Sequence, residues 1–173
     1  MPVVVQAPAT SANLGPGFDC LGLALELRDR VTFTPATSTS VTVAGEGEGE
    51  VSLGPEHLVL ASFRAAFAHC DMPVPEVSVH CENHIPHGRG LGSSSAAIVT
   101  GLVAARAMGA AMDDDRLLAV ATGIEGHPDN VAPALLGGLT VSWMHEGTGR
   151  AVRMEPAAGL EAVVAIPRQR LST

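Results

Sequence analysis

The stretch Ile85-Pro-His-Gly-Arg-Gly-Leu-Gly-Ser-Ser-Ser-Ala-Ala97 decides how this chain is read. A glycine-rich loop runs into three serines and then directly into an apolar segment with helical character. Gly88, Gly90 and Gly92 lack a Cβ, so the backbone there can turn sharply and approach a ligand closely. The serines are expected to cap the following helix. A helix N-terminus offers unpaired N–H groups at the positive end of its dipole, which together form an anion site. The fitting guest is a polyphosphate.

Two common phosphate loops do not match. A Walker A loop requires Gly-Lys-Ser/Thr, and all ten basic residues of this chain are arginine. The dinucleotide fingerprint G-x-G-x-x-G fails because Ser93 stands where its third glycine belongs. A plain glycine turn capping an ordinary helix is the bland alternative, and the length and order of the string weigh against it.

Composition sets the frame. A chain of 173 residues can bury one good core, and 46% hydrophobic residues make it globular. Only 3% are aromatic, so Ala, Val and Leu must fill most of that core. A formal charge of −8 argues against a general nucleic-acid binder, which would show a basic face. It does not argue against a nucleotide held locally by backbone donors. Cys20, Cys70 and Cys81 form no C-x-x-C pair or zinc pattern, and are expected to be small buried hydrophobes in a reducing compartment. With no signal sequence and no apolar run long enough to span a bilayer, the expectation is a cytoplasmic protein without membrane contact.

Along the chain, alternation predicts strands over residues 3–7, 26–35, 39–44, 77–81, 139–143, 152–154 and 162–166. A helix is predicted over 57–70, with Leu58, Ala61, Ala65 and Ala68 at helical spacing, and another over 94–108. Asp113 or Asp114 can cap a third, whose apolar face would run through Leu117, Leu118, Ala121 and Ile124. Residues 127–130 form a turn into a short helix that ends at Gly137-Gly138. The acidic Gly45-Glu-Gly-Glu-Gly-Glu50 run reads as a solvated loop, with a metal tract as the lesser alternative. Strands and helices mix without regular β-α-β alternation, which makes α+β the fold class.

The loop string resembles the phosphate loop of the GHMP kinases. Two further stretches resemble the homoserine kinase branch of that family. They are Ala7-Pro-Ala-Thr-Ser-Ala-Asn-Leu-Gly-Pro-Gly-Phe-Asp-Cys-Leu-Gly22 and Glu125-Gly-His-Pro-Asp-Asn-Val-Ala-Pro-Ala-Leu-Leu-Gly-Gly138. The resemblance implies an N-terminal domain of the ribosomal protein S5 domain 2-like type. It also implies ATP-dependent phosphorylation of the L-homoserine hydroxyl in threonine biosynthesis.

Residue by residue, the resemblance implies an ATP site at Pro86, His87, Gly88, Arg89, Gly90, Leu91, Gly92, Ser93, Ser94, Ser95 and Ala96. Arg89 is open between adding charge and facing solvent. Mg²⁺ would use Glu125 and a serine hydroxyl, Ser94 first. The family often carries Glu-x-Glu-Gly here, whereas this chain has Gly123-Ile-Glu-Gly126, so one carboxylate remains. Asn13, Asp19 and His127 are implied as substrate ligands, and His127 and Asn130 as the catalytic pair. Relatives with an Asp base at the Asn130 position imply, by contrast, that transfer here proceeds through orientation and transition-state stabilisation. Asp129 reads as a turn or helix-capping residue. His84 and His87 flank the loop without an assigned part beyond His87's place in it.

The resemblance also implies a longer protein, with a second domain and downstream arginines for the substrate carboxylate. Residues 1–173 are then the N-terminal, ATP-binding domain, ending at Arg170-Leu-Ser-Thr173 with the C-terminal domain absent. The exposed apolar face of such a bare domain would favour homodimer pairing. The alternatives are a non-catalytic nucleotide-binding or assembly module, and another GHMP small-molecule kinase.

Overall fold

The computed structural model describes residues 1–159 and 161–166. The chain runs β1 (Val3–Leu14), β2 (Gly17–Pro35), β3 (Ser40–Gly45), α1 (Leu58–His69), β4 (Val77–Asn83), α2 (Ser93–Ala107), α3 (Asp114–Glu125), α4 (Pro128–Leu136), β5 (Leu139–His145) and β6 (Thr148–Met154). These build the expected α+β domain around one mixed six-stranded sheet.

Strand β2 organises the sheet. Its 19 residues pair with β1 along most of their length. Its later half also pairs with β4 (Arg30–Pro35 against Val77–Glu82), and its earlier half with β5 (Leu21–Leu23). The strand order is β3-β4-β2-β5-β6, with β1 joined to β2 off that path. Only β3 and β4 run parallel, as the crossover through α1 requires.

Alternation along β2 puts Val31 and Phe33 on the helix-facing side, and the Phe33 ring stacks on Phe63 of α1 at 5.3 Å. Val77 and Val79 of β4, Ile98 and Leu102 of α2, and Leu117 of α3 complete that core. Helix α2 is buried on nearly all sides. Gly101 permits this, since a Cβ there would lie 2.3 Å from the Val59 carbonyl oxygen of α1.

Several expectations need correction. The first two strands are far longer than 3–7 and 26–35, so the motif at 7–22 lies within a β-hairpin whose strands are separated only by Gly15 and Pro16. The core face of α1 carries Val59, Leu60, Phe63, Ala66 and Phe67, not the Leu58–Ala61–Ala65–Ala68 line. The two phenylalanines bury more area than the alanines and set the helix's rotation. Asp113 does cap α3, accepting the Arg116 N–H at 2.8 Å, but Ile124 at the far end is 39% exposed. Residues 162–166 form no strand. Cys81 is buried, while Cys20 and Cys70 are only partly so. Burial pushes the Cys81 thiol up to about 12, which makes it chemically inert.

The acidic run ends β3 at Gly45 and forms turns over 46–50, with Gly45, Gly47 and Gly49 at positive φ. Among the described residues, no group of three or more His, Cys, Asp or Glu side chains could hold a metal ion unaided. No helix among them is long and apolar enough to cross a membrane. The terminal Arg170–Thr173 stretch lies outside the described residues.

Candidate active site

The glycine loop is anchored at both ends. At its start the Asp29 carboxylate, 6% exposed, accepts the backbone N–H groups of His84 (2.6 Å) and Ile85 (2.9 Å) on a single oxygen, Oδ1. Burial raises the Asp29 carboxyl above its ordinary value, and the two N–H bonds offset this in part. At its end the Thr10 N–H of β1 donates to the Leu91 carbonyl at 2.9 Å. Leu91 and Ile85 are buried beneath the loop with Ala7, Ala9 and Ala96.

Gly92 then starts α2 from a left-handed conformation, φ 64° and ψ 33°. A Cβ there would lie 1.9 Å from the Thr10 hydroxyl and 3.2 Å from Asn130 Oδ1. This position therefore requires glycine on two counts, backbone conformation and space.

The serines do not cap α2. The N-cap is Gly92, with no side-chain capping bond. Ser94 and Ser95 instead donate their hydroxyls to Glu125 Oε1 at 2.7 and 2.9 Å. Glu125 is the last residue of α3, so the carboxylate sits against the start of α2. Apart from Ala96, whose N–H donates to the Gly92 carbonyl, the first N–H groups of α2 have no intrahelical acceptor.

A cleft of about 780 Å³ opens in front of this helix end. Gly88, Gly90, Gly92, Ser93 and Ser94 line it together with Asn13, Glu125, His127 and Asn130. Residues from three distant motifs therefore share one space. Asp19 is exposed and reaches the others through its backbone, whose N–H donates to Asn13 Oδ1 at 2.7 Å. Both Asn13 (φ 58°) and Asp19 (φ 55°) hold left-handed backbone conformations at the hairpin tip. Pro86, His87, Arg89, Ser95 and Ala96 do not line the cleft, and Ser95 is fully buried.

Asn130 accepts the Thr10 hydroxyl on Oδ1 at 2.8 Å, which leaves its Nδ2 hydrogens as donors for a ligand. Asp129 is neither a turn residue nor a cap. His127 is the N-cap of α4, and the Asp129 carboxylate lies 1% exposed beneath it. It bonds the His127 Nδ1 and accepts Asn13 Nδ2 at 3.3 Å.

A second hollow of about 410 Å³ adjoins the cleft and shares Ser93 and Ser94 with it. Val31, Val51, Leu58, Val59 and Ala97 give it apolar walls. His57 and Thr100 also line this hollow, while His57 Nδ1 and Thr100 Oγ1 are themselves buried without a hydrogen-bond partner. Burial lowers the His57 pKa, which keeps the ring neutral. Sequence reasoning leaves out Thr10, Asp29, His57, Thr100 and the true place of Asp129. Only Asp29 carries a signal, as a polar residue in phase with Val31 and Phe33 on β2, whereas Thr10 turns inward only after the register shift between Pro8 and Thr10.

Residues 57–138 match the family described as the GHMP kinases N terminal domain. Over 176 aligned residues the chain is 52% identical to the homoserine kinase of Streptomyces coelicolor, covering 99% of this chain and 57% of that one. It is 44% identical to the homoserine kinase of Mycobacterium tuberculosis, covering 95% and 55%. The chain thus spans little more than half the length of these curated relatives. A solved homoserine kinase from Cytophaga hutchinsonii superposes with a TM-score of 0.76 at 29% identity, over 88% of this chain and 51% of that one. The mevalonate kinase of Methanococcus jannaschii, 14% identical over 90% of this chain and 56% of that one, shares the fold with a TM-score of 0.66.

Proposed function

We propose that this chain belongs to the GHMP kinase family and is the nucleotide-binding portion of a homoserine kinase, which transfers the γ-phosphoryl group of ATP to the L-homoserine hydroxyl. The single observation that carries this reading is the shared cleft. It joins an anion-binding helix end to Asn13, His127 and Asn130, polar side chains suited to a small hydroxylated amino acid.

Phosphoryl transfer is mainly a matter of position and charge. The glycine loop and the start of α2 supply N–H donors for the phosphates. The adjoining hollow offers apolar walls to the faces of a purine. Because the two spaces share Ser93 and Ser94, one nucleotide can span both.

Glu125 places a negative charge beside the phosphate site, where it would repel ATP unless a cation lay between them. Mg²⁺ needs only one or two protein carboxylates besides phosphate and water, so Glu125 with Ser94 is a sufficient set. Bound there, Mg²⁺ would neutralise charge that develops on the phosphates.

Asn130 cannot act as a base. Its Nδ2 hydrogens donate, and Thr10 holds the amide in that orientation. Asn13 and His127 are the residues placed to hold the acceptor. Residues 1–173 would then be the ATP-binding domain of a longer enzyme, and the arginines for the acceptor carboxylate would lie beyond it.

The test is ADP release with homoserine, mevalonate, galactose or water as acceptor, run on this chain and on a chain extended to the length of its relatives. We expect homoserine-dependent turnover by the longer chain, and at most feeble turnover by this one. Preference for mevalonate or galactose would overturn the reading.

A further inference from the structure

We propose that Asp129 is a positioning residue that locks His127 in one tautomer and thereby makes its Nε2 a hydrogen-bond acceptor for the small-molecule substrate. In its functional part this rests on the homoserine reading; in its structural part it does not.

The geometry begins with burial. The Asp129 carboxylate is 1% exposed, and both of its oxygens are engaged. Oδ1 bonds His127 Nδ1, and Oδ2 accepts the Asn13 side-chain amide at 3.3 Å. An ionised carboxylate only accepts hydrogen bonds, so the imidazole proton must sit on Nδ1. The other ring nitrogen then carries a lone pair. His127 lines the cleft and its side chain is 53% exposed, so that lone pair is accessible to a ligand's hydroxyl or ammonium donor.

The carboxylate cannot easily move. A Cβ at Gly22 of β2 would lie 2.1 Å from the Asp129 carbonyl oxygen, so glycine lets the first turn of α4 press against the sheet. Pro133, four residues on, has no N–H to draw that carbonyl back into the helix. The same carboxylate also sets Asn13, whose Oδ1 is turned to the Asp19 N–H. One buried acid thus orients two cleft side chains that lie 114 positions apart in sequence.

The arrangement makes Asp129→Asn informative. An amide offers one acceptor and one donor end to two partners that both donate. Asn13 and His127 cannot both be satisfied unless the imidazole proton moves to Nε2, which turns the cleft-facing nitrogen from acceptor to donor. The experiment is ¹⁵N NMR of the histidine rings at pH 8, with the His127 signals assigned through His127→Gln. We expect the parent to show Nδ1 protonated and Nε2 bare. In Asp129→Asn the ring should shift to, or average with, the Nε2–H form. Nε2 protonation in the parent would overturn the proposal, and so would an unchanged tautomer in a folded Asp129→Asn. The parent spectrum needs no variant, so a variant that fails to fold leaves the decision intact.

Titration with homoserine and with ATP forms the second arm. Homoserine affinity should fall about tenfold or more in Asp129→Asn, while ATP affinity stays within about twofold. Equal homoserine affinity in the two proteins would overturn the functional part. If the parent shows the expected tautomer but no homoserine binding even in the extended chain, the homoserine reading fails and the tautomer lock stands.

Discussion

Thr10 donates its hydroxyl hydrogen to Asn130 Oδ1 across 2.8 Å, although 120 positions separate the two residues. The bond passes immediately behind Gly92, where the glycine loop becomes helix. The N-terminal hairpin, the glycine loop and α4 therefore meet at one point, and space for that meeting exists only because residue 92 has no side chain.

Gly92→Ala should consequently damage the site more than an ordinary glycine replacement. The left-handed backbone costs an L-residue about 1–2 kcal/mol. The new methyl must also displace the Thr10 hydroxyl, 1.9 Å away. ATP affinity by calorimetry should drop at least about tenfold, the equivalent of about 1.4 kcal/mol. Adding Thr10→Ala removes the nearest clashing atom and should restore part of the loss. Undiminished affinity in the single variant would separate the loop from nucleotide binding.

Glu125→Gln keeps an oxygen for Ser94 and Ser95 to donate to, so it changes charge while preserving contacts. The enhancement of ATP binding by Mg²⁺ should shrink about tenfold, in line with the loss of one charge-assisted contact. ATP binding in EDTA should hold steady or improve, because a repulsive charge beside the phosphates is gone. Calorimetry with and without Mg²⁺ reads both changes. An unaltered Mg²⁺ dependence would remove Glu125 from the metal site.

Asp29 yields a prediction about pH. Its carboxyl is raised above the ordinary 3.8 by burial, so the folded chain holds that proton more tightly than the unfolded chain does. The Asp29 contribution to stability therefore falls as pH rises from about 3.8 through the raised folded value. Asp29→Asn retains an Oδ1 acceptor for the His84 and Ile85 N–H groups and has no charge to bury. In urea melts, the stability of Asp29→Asn relative to the parent should be greater at pH 7 than at pH 4. A difference independent of pH would refute this account.

Much of the site was legible because its information is local. The order of Gly88, Gly90, Gly92 and the serines specifies a turn into a helix without reference to the rest of the chain. Asp113 likewise caps α3 using only the next three residues. Asp129 shows where that reasoning stops. Beside Pro128 at the start of a helix, its local chemistry is that of a capping acid. Its partner Asn13 lies 116 positions away and arrives only when the hairpin folds over α4. The hollow beside the loop fails for the same reason, since its lining is drawn from β2, α1, β4 and α2 together. In α1 the periodicity was present but mis-phased, because equal weight for alanine and phenylalanine hides which face buries more area.

Gly101 has a consequence for how ligands arrive. It lets α1 and α2 cross with the Val59 carbonyl oxygen 2.3 Å from where a Cβ would be, so the middle of α2 is clamped. Asp29 and the Thr10 N–H hold the loop just ahead of that helix. If this loop receives phosphates, as we propose, those contacts order it in the fold itself, and its conformational entropy is surrendered during folding instead of at association. Binding of a nucleotide would then cost little further ordering, and different nucleotides would be told apart by how long each one stays.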